Sequence, residues 1–328
     1  MKKRFLIIAL ALLFISAIYF AGPRPAPLLL TQDWPEIELS LTELETAIEQ
    51  KESKYLLRQD NEARIIWADS SRKTEWVILY IHGFSASQGE GAPVHQNIAR
   101  KMGANLLLAR LSGHGYQVNQ LSDYSASSGW EDAKYYLALA QKLGDKVMVM
   151  GTSTGCSYAL NLAAEFPDKV DALVNLSANI RVNDPAAFLL NDPWGLEIAE
   201  MVLGSHRRIV SDSIGHAHYW DTLYTVNAVV ELEHLLESTL VESTFTRISQ
   251  PTLNLCYYKS EQEQDPVVRV DKIEWMHEHL GTAPELKRLV KLQNVGNHVL
   301  ASPIKSNDIV ETQSAIESFL QEVIGIEF

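Results

Sequence analysis

The feature that most limits what this chain can fold into is a repeated exchange of two periodicities. Six short stretches are dominated by apolar and β-branched residues: 76–81 (WVILYI), 105–111 (NLLLARL), 146–150 (KVMVM), 170–176 (VDALVNL), 252–258 (TLNLCYY) and 286–292 (LKRLVKL). A strand with one wet face alternates apolar and polar residues. Runs such as WVILYI do not alternate, and that suits strands buried on both faces. Between these stretches, residues 93–102, 130–143, 154–166, 267–280 and 309–324 carry apolar positions at helical spacing. Strands that exchange with helices of this length pair in parallel, because each helix carries the chain back along the sheet. The expected class is therefore α/β, a mostly parallel central sheet with helices on both faces. Residues 63–68 (ARIIWA) add a strand at its start.

Residues 178–250 break the rhythm, with no good buried strand but helical patterns near 196–203 and 225–240. Ligands of open α/β sheets bind outside the carboxyl ends of the strands. An insertion there is expected to be a cap over the site. Its Phe188, Leu189, Leu190, Trp194, Met201, Trp220 and Tyr224 suit either the cap's own core or the apolar part of a ligand. The pair His216-x-His218 has no evident carboxylate or cysteine partner, so no metal is expected there.

The residues that carry chemistry gather around Gly151-Thr152-Ser153-Thr154-Gly155. A G-x-S-x-G pattern after a strand and before a helix is a nucleophile elbow. Small flanking residues permit the strained turn, which lifts the serine hydroxyl clear of the sheet. A serine hydroxyl needs a base, and in this topology an acid and then a histidine follow in chain order. Asp265 comes after the strand 252–258, and His298 after the strand 286–292. Both fall at the carboxyl edge that carries Ser153. His298 is the candidate general base, and Asp265 the group that fixes its tautomer. Glu263 and Asp271 compete with Asp265, but one lies in a polar run and the other inside the next helix. Donors for a developing oxyanion are expected from the backbone N–H of Thr154 and of Phe84, in His82-Gly83-Phe84. His82 itself is expected to be structural.

The ordered set His82-Gly83-Phe84, Ser112-Gly113-His114-Gly115, GTSTG, Asp265-Pro266-Val267-Val268 and Gly296-Asn297-His298 resembles the α/β-hydrolase superfamily from about residue 63 onward. It is most similar to the esterase, monoacylglycerol lipase and thioesterase branches, which carry a helical cap. The resemblance implies an α/β-hydrolase fold with Ser153, Asp265 and His298 as triad and Phe84 and Thr154 as oxyanion hole. It implies a structural role for His114, no cofactor, and cleavage of carboxylic esters through an acyl-enzyme. The chain departs from many relatives in its loop SASQGEGAPVH, which puts Glu90 near the expected mouth, and in its N-terminal segment. A serine triad also serves peptidases, thioesterases and acyltransferases, and the fold can serve as a non-catalytic binding module.

Lys2, Lys3 and Arg4 precede an apolar run from residue 5 to 21. A basic start and an apolar run are the marks of export, and the length falls in the range of a membrane span. Tyr19-Phe20-Ala21 before Gly22-Pro23 is a poor cleavage site. Residues 1–22 are thus read as an uncleaved signal anchor that holds the remainder outside the cytoplasm, with secretion after cleavage as the alternative. Residues 23–60 are expected to be a proline-bearing linker and a short helix capped by Ser40 and Glu43, and residues 61–328 the hydrolase domain with its cap. A formal net charge of −13 repels phosphate backbones, so nucleic acid is not an expected partner. The expected partners are a small-molecule ester with an apolar acyl or alcohol part, and a membrane through the N-terminal segment. Cys156 and Cys256 lie in apolar runs outside any metal-ligand spacing and are expected as buried free thiols.

Overall fold

The computed structural model describes residues 2–211 and 213–328; Met1, in the basic start, and Asp212, in the insertion, lie outside the described residues. The strands in chain order are β1 (Arg64–Ile66), β2 (Thr74–Ile81), β3 (Asn105–Leu108), β4 (Gly144–Thr152), β5 (Ala172–Leu176), β6 (His206–Arg208), β7 (Leu223–Thr225), β8 (Thr252–Ser260), β9 (Glu263–Gln264) and β10 (Lys287–Leu292). The main sheet has the order β1-β3-β2-β4-β5-β8-β10, with β9 paired to β8 off that path. Every neighbour from β3 to β10 is parallel, while β1 runs antiparallel to β3. A short antiparallel ribbon, β6 with β7, stands apart.

Alternate residues of a strand point to opposite faces. On one face Val77, Leu79, Ile81 and Val149 meet Trp130, Leu137 and Leu160 from the helices Ala126–Leu143 and Thr154–Glu165. On the other, Ile78, Tyr80, Met148 and Leu255 meet Ile98 of Val94–Met102 and Ile316 and Phe319 of Ile309–Phe319. Both faces are dry, which is why β2 and β4 do not alternate. The helix expected at 130–143 starts earlier, at Ala126. Ser125 and Ser128 bond reciprocally there, each side chain accepting the other's backbone N–H at 3.0 and 2.9 Å. A serine in place of the usual Glu or Gln hides that cap from a motif reading.

Between β5 and β8 lie the helices Gly195–Leu203, Ile214–Tyr219 and Val226–Thr239, together with the β6–β7 ribbon. Val226–Thr239 is seated on the first core through Ala228, Leu232, Leu235 and Leu236. Gly195–Leu203 is not: Ile198, Met201 and Val202 face outward, Met201 at 85% exposure. Phe188, Leu189 and Met201, expected in a core or against a ligand, are exposed instead.

Lys2–Phe20 forms one helix, and its segment Lys3–Phe20 has mean hydropathy 2.0 with none of it buried, long and apolar enough to cross a membrane. Residues 22–35 are without helix or strand, but they are not slack. The Trp130 indole donates to the Thr31 carbonyl (3.0 Å), and the buried Lys134 ammonium reaches Thr31 Oγ1 (2.6 Å) and Asp33 Oδ1 (2.9 Å). Trp34 packs edge-on against Phe166. In the helix Leu41–Glu52, the Ser40 N–H donates to Glu43 (2.9 Å). Its last residue, Glu52, accepts twice from Arg110 (2.5 and 2.9 Å) in a buried fork beside the loop after β3.

Candidate active site

Ser153 sits between the end of β4 and the helix Thr154–Glu165 with φ 53° and ψ −117°, a backbone state that non-glycine residues rarely adopt. The turn is held from three sides. The Ser153 N–H donates to the Leu176 carbonyl (2.9 Å), and its own carbonyl accepts from Cys156 (3.0 Å) and Asn179 (3.1 Å). Gly155 is fixed by close approach rather than by dihedral angle: a Cβ there would stand 2.0 Å from the Ile81 carbonyl oxygen. The helix therefore starts directly against β2. Thr154 is its first residue, and the first N–H groups of a helix have no partner within it.

Asp265 follows β8 and its return strand β9, with 1% of its surface exposed. Its Oδ1 accepts the N–H groups of Val267 (2.8 Å) and Val268 (3.1 Å), which turns Oδ2 toward His298. Oδ2 stands 2.7 Å from His298 Nδ1. Burial alone would raise the Asp265 carboxyl, but His298 and the backbone donors hold it below its ordinary value. Burial would lower His298, yet the charge and hydrogen bond of Asp265, with Glu90 adding to them, hold it above its ordinary value. A carboxylate on Nδ1 leaves Nε2 as the basic nitrogen.

Ser153 and His298 line one cavity of about 360 Å³ together with Phe84, and the insertion closes it with Trp220, Tyr224 and Leu232. The same wall carries Asn179, His216 and Lys305, which sequence reasoning did not single out as site residues; they come from three distant segments with no shared motif. Of the apolar insertion residues named from the sequence, Trp220 and Tyr224 reach the cavity. Trp194 instead donates its indole N–H to the Ile18 carbonyl (3.1 Å) at the end of the first helix.

The loop after β2 brings Phe84 to the cavity. The Leu111 N–H donates to His82 Nε2 (3.1 Å), so the ring proton sits on Nδ1 and is donated to the Gly83 carbonyl (2.9 Å). Burial pushes His82 down to about 4, consistent with this neutral tautomer. A trans peptide directs C=O and N–H to opposite sides. Holding the Gly83 carbonyl thus aims the Phe84 N–H the other way. His114 packs at a tilt against His82 with ring centroids 4.8 Å apart, and its Nδ1 lies 3.0 Å from the Ser112 carbonyl. Glu90, expected near the mouth, is in the cavity wall instead, 2% exposed, with Oε2 accepting the Gly83 N–H (2.7 Å).

The competitors of Asp265 are engaged elsewhere. Asp271, in the helix Val270–His279, pairs with Arg269 (2.5 Å), and Glu263 accepts from Tyr257 (2.9 Å) and Lys259 (3.0 Å). Cys156 and Cys256 are buried free thiols.

A family profile for the alpha/beta hydrolase fold matches residues 77–202, the span from β2 through the elbow into the insertion. The chain has the α/β-hydrolase fold. Solved structures agree with it over most of their length. One, from work on the metagenome-derived lipolytic enzymes LipS and LipT, has a TM-score of 0.64 at 20% identity and covers 81% of this chain and 99% of the other. A soluble variant of the monoglyceride lipase of Saccharomyces cerevisiae, in complex with a substrate analog, gives 0.60 at 11% identity, covering 93% and 100%. The monoacylglycerol lipase of Paleococcus ferrophilus gives 0.57 at 14%, covering 79% and 98%. A search of curated protein sequences finds no match. In this fold the insertion 178–250 lies between β5 and β8, and its Trp220, Tyr224 and Leu232 line the cavity that holds Ser153 and His298.

Proposed function

We propose that the chain is a serine hydrolase of carboxylic esters. The observation that carries this reading is the Asp265–His298 pair, 2.7 Å apart, whose His298 lines the same cavity as a serine held at positive φ. Ser153 Oγ attacks the ester carbonyl carbon while His298 Nε2 takes the hydroxyl proton. The N–H groups of Phe84 and Thr154 receive the oxyanion. The C–O bond then breaks, the alcohol leaves with the proton from His298, and water repeats the sequence to free the acid.

The lipolytic and monoacylglycerol lipase neighbours support an ester as the substrate class. The lining of Phe84, Tyr224, Leu232 and Val267 suits an apolar acyl or alcohol part. The cavity is small for a ligand pocket, whose usual range is roughly 300–1,000 Å³, and that favours short to medium acyl chains. The exposed apolar span Lys3–Phe20 supports a membrane anchor with the hydrolase domain outside the cytoplasm; a removed signal peptide is the other outcome, and N-terminal sequencing of the mature protein separates them.

The activity is tested with a p-nitrophenyl ester series, acetyl to palmitoyl. Wild type is expected to peak at short to medium chains, and Ser153→Ala to lose about 10⁴-fold or more in kcat with its fold intact. Equal turnover by the variant, or no labelling of Ser153 by a fluorophosphonate, would remove the assignment.

A further inference from the structure

Among the described residues, Glu90 is the acidic side chain of the cavity wall that the mechanism leaves without a task. It ends a short turn, Gln88–Glu90, in the loop that the sequence marks as a departure from many relatives. Its carboxyl and the Ser153 side chain approach Gly83 from two sides: a Cβ on Gly83 would stand 3.0 Å from Glu90 Oε2 and 3.0 Å from Ser153 Cβ. The indole of Trp220 hydrogen-bonds to the same carboxyl.

Gly83 is the joint on which the orientation of the Phe84 N–H depends. Glycine has the widest backbone freedom of any residue, so this joint is stiff only if something outside it holds both peptide planes. On the far side of Gly83, His82 Nδ1 and the Ala86 N–H (3.2 Å) hold the carbonyl. On the near side, the Gly83 N–H has Glu90 Oε2 as its partner at 2.7 Å. We propose that Glu90 is a positioning residue for ester cleavage: by holding the Gly83 N–H it locks the Gly83–Phe84 turn with the Phe84 N–H aimed at the reacting carbonyl oxygen. The inference rests on the ester-hydrolase reading above.

The surroundings fit that task. Burial pushes Glu90 up to about 7, against the pull of the Gly83 N–H and of His298. The other titratable groups near it are Tyr80 on β2 and Cys156 on the helix after the elbow, with His216 and Lys305 in the same cavity wall. Ionised or protonated, a carboxyl keeps an oxygen able to accept from Gly83, so the clamp works through the neutral range. A glutamine in its place keeps an acceptor of the same reach.

The test compares wild type, Glu90→Gln and Glu90→Ala as full chains in detergent, with melting temperature as the folding control. Three readouts apply: kcat and KM on the best p-nitrophenyl ester, affinity for a trifluoromethyl ketone, whose adduct places an oxyanion in the hole, and hydrogen exchange of the segment 82–86. The expected result for Glu90→Ala is a fall in kcat of about 10- to 100-fold with KM little changed, since oxyanion contacts act mainly in the transition state. Ketone affinity should fall in parallel and exchange should quicken, while Glu90→Gln stays near wild type in all three. Wild-type kcat in a folded Glu90→Ala, an equal loss in Glu90→Gln, or a loss of kcat without loss of ketone affinity would overturn the assignment. Should the alanine variant not fold, Glu90→Asp, whose carboxyl is one methylene short of Gly83, is expected to behave as alanine would, and wild-type rates there would overturn it equally. The exchange arm does not depend on turnover. If Ser153→Ala hydrolyses as wild type does, the ester reading fails, while unchanged protection of 82–86 in Glu90→Ala defeats the clamp by itself.

Discussion

The carboxyl edge of the sheet and the insertion above it line the same cavity from opposite sides, and two buried carboxyls show how differently they are built. Asp265, at the edge, accepts two backbone N–H groups and faces the ring of His298, and these partners hold it ionised below its ordinary value. Glu233, in the insertion helix Val226–Thr239, is nearly as buried, but among the described residues none donates a hydrogen bond to it, and burial pushes it up to about 7, with Glu237 adding. The same side-chain chemistry thus behaves oppositely according to whether a histidine ring, and after it backbone N–H groups, face the carboxyl. The edge holds Asp265 and His298 through hydrogen bonds to defined partners. The insertion closes space, and its outer helix leaves Met201 and Val202 in the open.

The contrast is broken most directly at its stiff end. Asp265→Asn should cost about 10³–10⁴ in kcat, because the histidine loses the partner that sets its tautomer. The pH profile gives the sign. Hydrolysis needs neutral His298, so activity rises with pH through its titration, which Asp265 places above the ordinary histidine value. Without that charge burial dominates, and the residual activity of Asp265→Asn should extend to lower pH. A profile that does not move would mean that another group sets the acid limb.

A second test asks how tightly the elbow is built. Gly155→Ala drives a methyl against the Ile81 carbonyl, and the neighbour is backbone, so the cost should be about 3 kcal/mol or more, read by chemical denaturation. A near-neutral result would mean that the helix can shift along β2 after all.

The third test uses Glu233. Its folded titration lies above its ordinary 4.5, so its contribution to stability is complete at low pH and is lost as pH rises toward about 7. Glu233→Gln should flatten that part of the stability–pH curve. An unchanged slope between pH 5 and 8 would show that the helix relaxes to hydrate the charge. The smallest effect belongs to the outer surface: Met201→Ser should change stability by no more than about 0.5 kcal/mol and leave hydrolysis of a short soluble ester untouched. A large loss there would erase the distinction between the two regions.

What could be read beforehand follows the same division. The strands were legible because burial on both faces leaves unbroken apolar runs, and Ser153, Asp265 and His298 could be put forward as candidates because each falls just past such a run. The first turn of Ala126–Leu143 was not, since its cap uses Ser128 where a motif reading looks for Glu. The depth of Glu90 escaped notice because a polar loop reads as surface, and only the fold of that loop buries it. Leu232 and Lys305 line one cavity although nothing local marks them, and His216, marked only as half of a His-x-His pair, joins them; their proximity is made by the packing of the insertion against the loop after β10. Phe188 and Met201 depart for the opposite reason: an apolar side chain suggests burial, yet solvent-exposed apolar atoms are common on folded proteins.

The clasp between residues 31–34 and the helix Ala126–Leu143 has a practical consequence for anyone shortening this protein. The Lys134 side chain is 1% exposed, and Asp33 is one of its two carboxylate neighbours, the other being Glu131 on its own helix. A chain begun after residue 20 loses the apolar helix and keeps the clasp. One begun after residue 34 strips Thr31 and Asp33 from a sealed ammonium and uncovers Phe166 as well. The safe place to cut is therefore set by a lysine a hundred residues downstream, and a shortened protein that precipitates should be lengthened toward Pro23 before its surface is altered.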